Sequence, residues 1–198
     1  VGDRVSLDDV RRALARIEPR AREDVPLGRK AAVAGVLRER EPGVELLFIR
    51  RAEHPKDPWS GNMGWPGGRV DAGDGSPLVT AVRETREELA LDLERDAELL
   101  GALSERRTHL RVRGVPLAVA AFLFALRGDP VLSPNHEVQE TVWVPLSYLL
   151  DRSNRGLFVW TGRGVPLPLP CYRYGGRVIW GLTLGLLDEL LDALSGGG

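Results

Sequence analysis

Three carboxylates in one short segment, Glu84, Glu87 and Glu88, with Arg83 and Arg86 between them, are the side chains best placed to do chemistry. Ser76 has the character of a helix N-cap and Pro77 suits the first helical position, so a helix is expected to open there. Leu78, Val82, Thr85 and Leu89 recur at steps of four, three and four residues, a stripe that carries the helix to about Leu89. At about 100° per residue the three glutamates share another face, roughly opposite that stripe. Like charges three and four residues apart repel, each pair costing on the order of a few tenths of a kcal/mol. Glu87 and Glu88 also fall in the last turns, where the helix dipole disfavours anions by up to about 1 kcal/mol each. Arg83 and Arg86 relieve only part of this. A hard divalent cation, Mg²⁺ or Mn²⁺, would relieve the rest, because both prefer carboxylate oxygens. A solvated acidic helix face with no ligand is the plainer alternative.

Several elements must position that helix. Pro66-Gly67-Gly68 ends an apolar stretch with two residues that let backbone come close to a ligand, and Asp71-Ala72-Gly73-Asp74-Gly75 leads into the helix. Upstream, Ala31–Leu37 and Val44–Ile49 read as strands joined by a turn over 38–43. Downstream, Asp96–Leu103 reads as a short strand and 104–114 as a strongly basic loop or hairpin. Arg107 and Arg111 in it are candidates for substrate phosphate, which guanidinium grips bidentately; arginines that merely solubilise are the alternative. Leu117–Leu126 is a continuous apolar run, as in a buried central strand. An amphipathic helix capped at Ser6 and running to Ile17 precedes a charged connector, 19–26. Pro145–Leu150 begins a short helix, 161–170 is a Pro- and Gly-rich loop or edge, 172–180 a hairpin and 182–194 a closing amphipathic helix. Residues 195–198 read as a frayed tail.

The length of 198 residues suits one domain, 1–198, with its N-terminal helix and connector in 1–26. A net charge of −1 with 28% charged residues gives no bulk attraction to nucleic acid or membranes. The single cysteine, Cys171, excludes an internal disulfide, reads as a core filler and suits a reducing, cytoplasmic setting. No apolar run approaches the roughly 18 residues of a membrane span, and Val1-Gly2-Asp3-Arg4 does not open a signal peptide. His54, His109 and His136 have no metal-ligand spacing.

A glycine turn, an acidic loop and a helix carrying Arg83-Glu84-Thr85-Arg86-Glu87-Glu88 together resemble the Nudix box. Gly68, Arg83, Glu84, Glu87, Glu88 and Leu91 match its pattern. The loop has one extra residue, Asp74 sits near the box's first Glu, and Thr85 and Ala90 replace an aliphatic residue and a Gly. Leu46-Leu47-Phe48-Ile49-Arg50-Arg51-Ala52, then Gly61 and Trp65-Pro66-Gly67-Gly68, is similar to a second motif of the coenzyme A diphosphatases within that family. The 57–60 insert and Trp65 depart from it, whereas Ile179-Trp180-Gly181-Leu182-Thr183 is similar to that subgroup's closing motif.

The resemblance implies an α/β fold, an α/β/α sandwich around a mixed β-sheet. It implies metal-dependent hydrolysis of a phosphorus-containing anhydride, with Mg²⁺ or Mn²⁺ held by Glu84, Glu87, Glu88 and the Gly67 carbonyl. Glu137, or failing it Glu140, would complete the metal site or serve as base ahead of Trp143-Val144-Pro145-Leu146. Glu84 is the other candidate base, and Arg83 would orient a neighbouring glutamate. Arg51, Gly68 and Trp65 would meet the substrate; for Trp59 and Trp65 core packing is the competing role. The expected substrate is a small nucleotide, coenzyme A or an acyl derivative first. ADP-ribose, a nucleoside diphosphate sugar or a damaged nucleoside triphosphate are alternatives, and a binding module without turnover is the alternative of another class. Many relatives are dimers, so a homodimer is compatible, and 106–113 could meet its partner subunit.

Overall fold

The computed structural model describes residues 4–53, 61–112, 115–161 and 166–196, with the side chains of 109–116 outside the description. Ser6 and Asp9 form a reciprocal capping box that opens α1 (Leu7–Leu14), which stops one turn short of Ile17. β1 (Lys30–Arg40) and β2 (Gly43–Arg51) pair antiparallel, and both run longer than their apolar cores. Cross-strand charge explains the extension: Arg38 Nε donates to Glu45 Oε2 at 2.7 Å, with its guanidinium 4.1 Å from the Trp143 ring centroid. β3 (Met63–Gly64) joins the end of β2, and β4 (Gly67–Arg69) pairs with the start of β1.

Then come α2 (Pro77–Leu89), α3 (Leu93–Asp96) and a long hairpin of β5 (Ala97–Val112) and β6 (Val115–Leu126). The basic stretch 104–112 is therefore part of a hairpin, the second of the two readings; three register shifts along β5 absorb its irregular pattern. β6 runs parallel to β1, from Lys30↔Ala118 to Leu37↔Ala125, and β7 (Val138–Pro145) pairs with β2. The sheet is thus mixed, ordered β3-β2-β1-β6-β5, with β4 on β1 and β7 on β2.

After α4 (Leu146–Leu150), β8 (Arg155–Trp160), β9 (Leu167–Tyr174) and β10 (Arg177–Trp180) make a small antiparallel sheet ordered β10-β9-β8, and α5 (Gly181–Leu194) closes the chain. Of the loop or edge expected over 161–170, Leu167–Pro170 form a strand paired on one side. Pro168 and Pro170 are tolerated because β10 pairs only with Cys171–Tyr174, leaving their missing N–H groups on an unpaired margin.

Alternation along the strands divides the core in two. Ala32, Ala34 and Val36 face α2 with Leu47, Ile49, Ala81 and Leu89, while Leu37, Leu46, Phe48 and Trp65 face α1 and α5 with Leu14, Leu187 and Leu190. Helices on both faces of a mixed sheet make the fold α/β. Cys171 is a buried core residue. Among the described residues no helix is long and apolar enough to cross a membrane.

α2 is built as its sequence requires at the start and against type at the end. Ser76 Oγ accepts from the Val79 amide and Pro77 occupies the first turn. Thr85, in place of an aliphatic residue, is fully buried because its hydroxyl donates to Ala81 O at 2.7 Å within the helix. Ala90 ends the helix at φ 54°, a left-handed conformation in which Cβ crowds the following carbonyl. Ala90→Gly should therefore raise stability by about 0.5–1 kcal/mol, read as a higher urea midpoint at unchanged slope.

Candidate active site

α2 lies over β1 and β4 so that its carboxylates meet the glycine strand edge-on. The helix buries Thr80, Ala81, Thr85, Glu88 and Leu89, so Glu88 belongs to the packed side and not to a face opposite it. Only Glu87 of the three faces solvent. Glu88 is 1% exposed, its Oε2 accepts the Gly67 N–H at 2.8 Å, and its Oε1 lies 3.8 Å from Arg51 Nη1. Burial pushes its carboxyl up to about 7, aided by the negative charges of Glu84 and Glu137 and opposed by Gly67 and Arg51. Glu84, half-buried, is also raised by burial, with Arg83 opposing.

Both glycines are required by close approach. A Cβ on Gly67, at φ 151°, would fall 2.2 Å from Ala32 O, and one on Gly68 would fall 2.3 Å from Glu84 Oε1. Gly68→Ala should thus displace the Glu84 carboxylate. We expect a loss of turnover on the order of tenfold or more with unchanged far-UV circular dichroism.

Arg83 organises the helix start. Its Nε and Nη2 grip Asp74 Oδ1 and Oδ2 at 2.8 and 2.9 Å, while Nη1 reaches Glu84 Oε1 at 2.9 Å and Glu87 Oε2 at 3.2 Å. Asp74 is buried and also accepts from Thr80 Oγ1 at 2.8 Å and the Asp71 amide at 2.9 Å. The Arg83 guanidinium, with these donors, holds the Asp74 carboxyl far below the usual carboxylate range. Asp74 is the residue the sequence marked only as a departure in spacing. The available signal was an acid nine residues ahead of an Arg that the loop could fold back to meet.

Glu137 and Glu140 separate cleanly. Glu137, its amide donating to Asn135 Oδ1 at 2.8 Å, lines the same cleft as Glu84, Glu87 and Glu88 and is near enough to raise two of them. Glu140 instead pairs with Arg177 through both guanidinium branches, tying β7 to β10. Trp65 is 4% exposed and tilted against Phe48, yet it also lines the cleft, and its Nε1 finds no acceptor among the described residues. Core packing and cleft lining are thus the same placement.

Arg107 lines the cleft too, but on β5, with β6 and β1 between it and β4, so roughly 14 Å across the sheet from Gly68. It pairs with Asp24, and Arg106 Nη2 lies 3.7 Å from Glu189. Trp59, His54 and the side chains of His109 and Arg111 lie outside the described residues, and His136 is exposed.

The donor set fits a hard divalent cation: every candidate ligand is an oxygen, two of the carboxylates are raised by burial, and Gly68 leaves the space that Glu84 fills. Among the described residues no three of these acids converge on one ligating point; Arg83 bridges Glu84 and Glu87.

This combination of a glycine strand, an acid-bearing helix and the Arg83 fork agrees with a family model, the NUDIX domain, which matches residues 28–160. The chain belongs to the Nudix family. Members are hydrolases of phosphorus-containing anhydrides. A human relative, "Mitochondrial coenzyme A diphosphatase NUDT8", is 30% identical over 153 residues, 77% of this chain and 64% of that protein. This chain thus spans just under two thirds of that relative's length. An Enterobacter relative, "Uncharacterized Nudix hydrolase NudL", is 30% identical over 189 residues, 94% of this chain and 93% of that protein. The Nudix fold is also that of the C. elegans Ap4A hydrolase in a binary complex, at TM-score 0.53 and 19% identity over 84% of this chain and 95% of that one. In this Nudix chain Asp74, rather than a Glu, lies under the Arg83 fork.

Proposed function

We propose that this domain is a divalent-metal-dependent diphosphatase, cleaving coenzyme A or its acyl thioesters into 4′-phosphopantetheine (or its acyl form) and adenosine 3′,5′-bisphosphate. The observation that carries the reaction class is the buried Glu88 carboxylate, held by the Gly67 amide in a cleft wall shared with Glu84, Glu87 and Glu137. A silent binding module has no use for this arrangement, because burial and mutual repulsion both penalise it. The coenzyme A assignment is supported by the Arg50-Arg51-Ala52 and Trp65-Pro66-Gly67-Gly68 segments and by the human relative's name.

Glu84, Glu87, Glu88 and the Gly67 carbonyl would hold Mg²⁺ or Mn²⁺, which when bound neutralises diphosphate charge and lowers the pKa of water. Glu84 or Glu137 accepts the proton of the attacking water. Arg83, anchored by Asp74, fixes the Glu84 and Glu87 carboxylates by charge-assisted hydrogen bonds. Arg51, beside Glu88, offers positive charge to the diphosphate, and Gly68 and Trp65 shape the pocket around it. Arg107, with Arg111, would take a further phosphate by exchanging Asp24 for it. The setting we propose is a reducing cytoplasm-like compartment.

Coenzyme A, ADP-ribose and deoxynucleoside triphosphates, each supplied with Mg²⁺ or Mn²⁺ and followed by product chromatography, test this. Coenzyme A should give the two products named above. Preferential cleavage of ADP-ribose would replace the substrate, and no turnover of any would favour the binding module.

A further inference from the structure

The small sheet turns a second wall, rich in aromatic and leucine side chains, into the same cleft. Its register puts Trp180 and Cys171 in one row, Leu169 and Phe158 in the next, and Leu167 and Trp160 in the third, all on one face. Phe158 and Trp180 meet at 4.7 Å and 61°, and Trp160 and Trp180 at 6.4 Å and 41°, so the rings form a trough and not a flat platform. Leu167 remains 47% exposed in it, and a Cβ on the neighbouring Gly156 would meet nothing within 4 Å. Trp180 Nε1 is already committed to Asn62 Oδ1 at 3.2 Å. Among the described residues these three rows carry no charged side chain, and the Trp180 indole donor is not free to read a nucleobase edge.

The trough is continuous with the carboxylate wall. The Arg51 amide donates to Asn62 O at 3.1 Å, and Arg51 Nη1 lies 3.8 Å from Glu88 Oε1. One residue, Asn62, thus touches both Trp180 and the strand end that faces Glu88. From the Trp180 row to the Trp160 row the sheet extends about 13 Å, the reach of a medium-length acyl chain.

We propose that Phe158, Trp160, Leu167, Leu169 and Trp180 hold the acyl arm of an acyl-coenzyme A thioester, so that this chain selects long apolar arms over the free thiol. The inference rests on the coenzyme A reading above and deepens it. Transfer of a chain's methylenes onto such a wall favours decanoyl- over free coenzyme A by on the order of tenfold or more.

The test compares free, acetyl-, hexanoyl- and decanoyl-coenzyme A in two ways. One is kcat/KM with Mg²⁺; the other is tryptophan fluorescence titration without divalent ions. Both should show a rising preference with chain length, which falls toward one in Trp160→Ala and in the more conservative Leu167→Ser. Leu157→Ser, on the opposite face, should keep it. A flat series in the parent, or a gradient that survives in both trough variants, overturns the inference while cleavage of coenzyme A leaves the reaction assignment standing. Equal fluorescence response to adenosine 3′,5′-bisphosphate would overturn it in favour of a base site. If no thioester is cleaved but decanoyl-coenzyme A still binds with the gradient, the reaction assignment falls and the trough stands; loss of both defeats both.

Discussion

Glu88→Gln should lower turnover about a thousandfold and yet, above pH 7, leave the domain more stable than its parent. The amide is isosteric and its oxygen can still accept the Gly67 N–H, so the contact at 2.8 Å survives while the charge is lost. The stability gain has a definite sign. Burial raises the Glu88 pKa from its ordinary value of 4.5 to about 7, so the folded chain keeps the proton to higher pH than the unfolded chain does. Stability from this group therefore falls as pH rises from about 4.5 to 7, and the penalty is complete above that window. Glutamine carries no such penalty, which makes the variant more stable by about 1–3 kcal/mol at pH 8, with the difference vanishing below pH 4.5. Urea titrations in the presence of a chelator at pH 8 and pH 4 check the stability arm, and steady-state turnover checks the other. A variant that retains most of its rate removes Glu88 from the chemistry.

Asp74→Ala should have the largest effect on stability, a loss of about 3 kcal/mol. It strips partners from Arg83, Thr80 and the Asp71 amide at once, and the first of these is a charge left half-sheltered. The Asp74 pKa lies below its ordinary value, so its contribution is present above about pH 4 and is lost only as pH falls through the lower folded value. The destabilisation should accordingly be constant from pH 5 to 8, in contrast to Glu88→Gln. Turnover should also fall by roughly ten- to a hundredfold, because Arg83 no longer fixes Glu84 and Glu87. Denaturant midpoints across that pH range, with kcat measured on the folded fraction, separate the two effects.

What the sequence disclosed is what short-range chemistry determines. The Ser76-Pro77 start of α2, the apolar runs of β1, β2 and β6 and the closing helix α5 depend on neighbours within a turn or a strand. The glutamate cluster was visible for the same reason, as a violation of local helix electrostatics. Its burial was not, because Glu88 is covered by β4, a strand of three residues whose pairing with β1 spans the whole 30–69 segment. Asp74 was hidden because its worth lies in a fork closed by a loop. Over the basic stretch 104–112 a loop stayed open beside the hairpin because Arg107 and Arg106 meet acids distant in sequence, Asp24 and Glu189. β8 and the prolines of β9 were obscured for a topological reason: a strand paired on one side tolerates residues that a fully paired one rejects.

Those two prolines also govern how the molecule can carry an open, leucine-rich mouth. An unpaired strand margin beside apolar side chains is ordinarily an invitation to another chain's backbone, and so a seed for fibrils. Pro168 and Pro170 have no amide hydrogen to offer on that side, so a visiting strand finds no ladder to extend. The opening can stay greasy enough for a ligand and remain unrewarding for a protein.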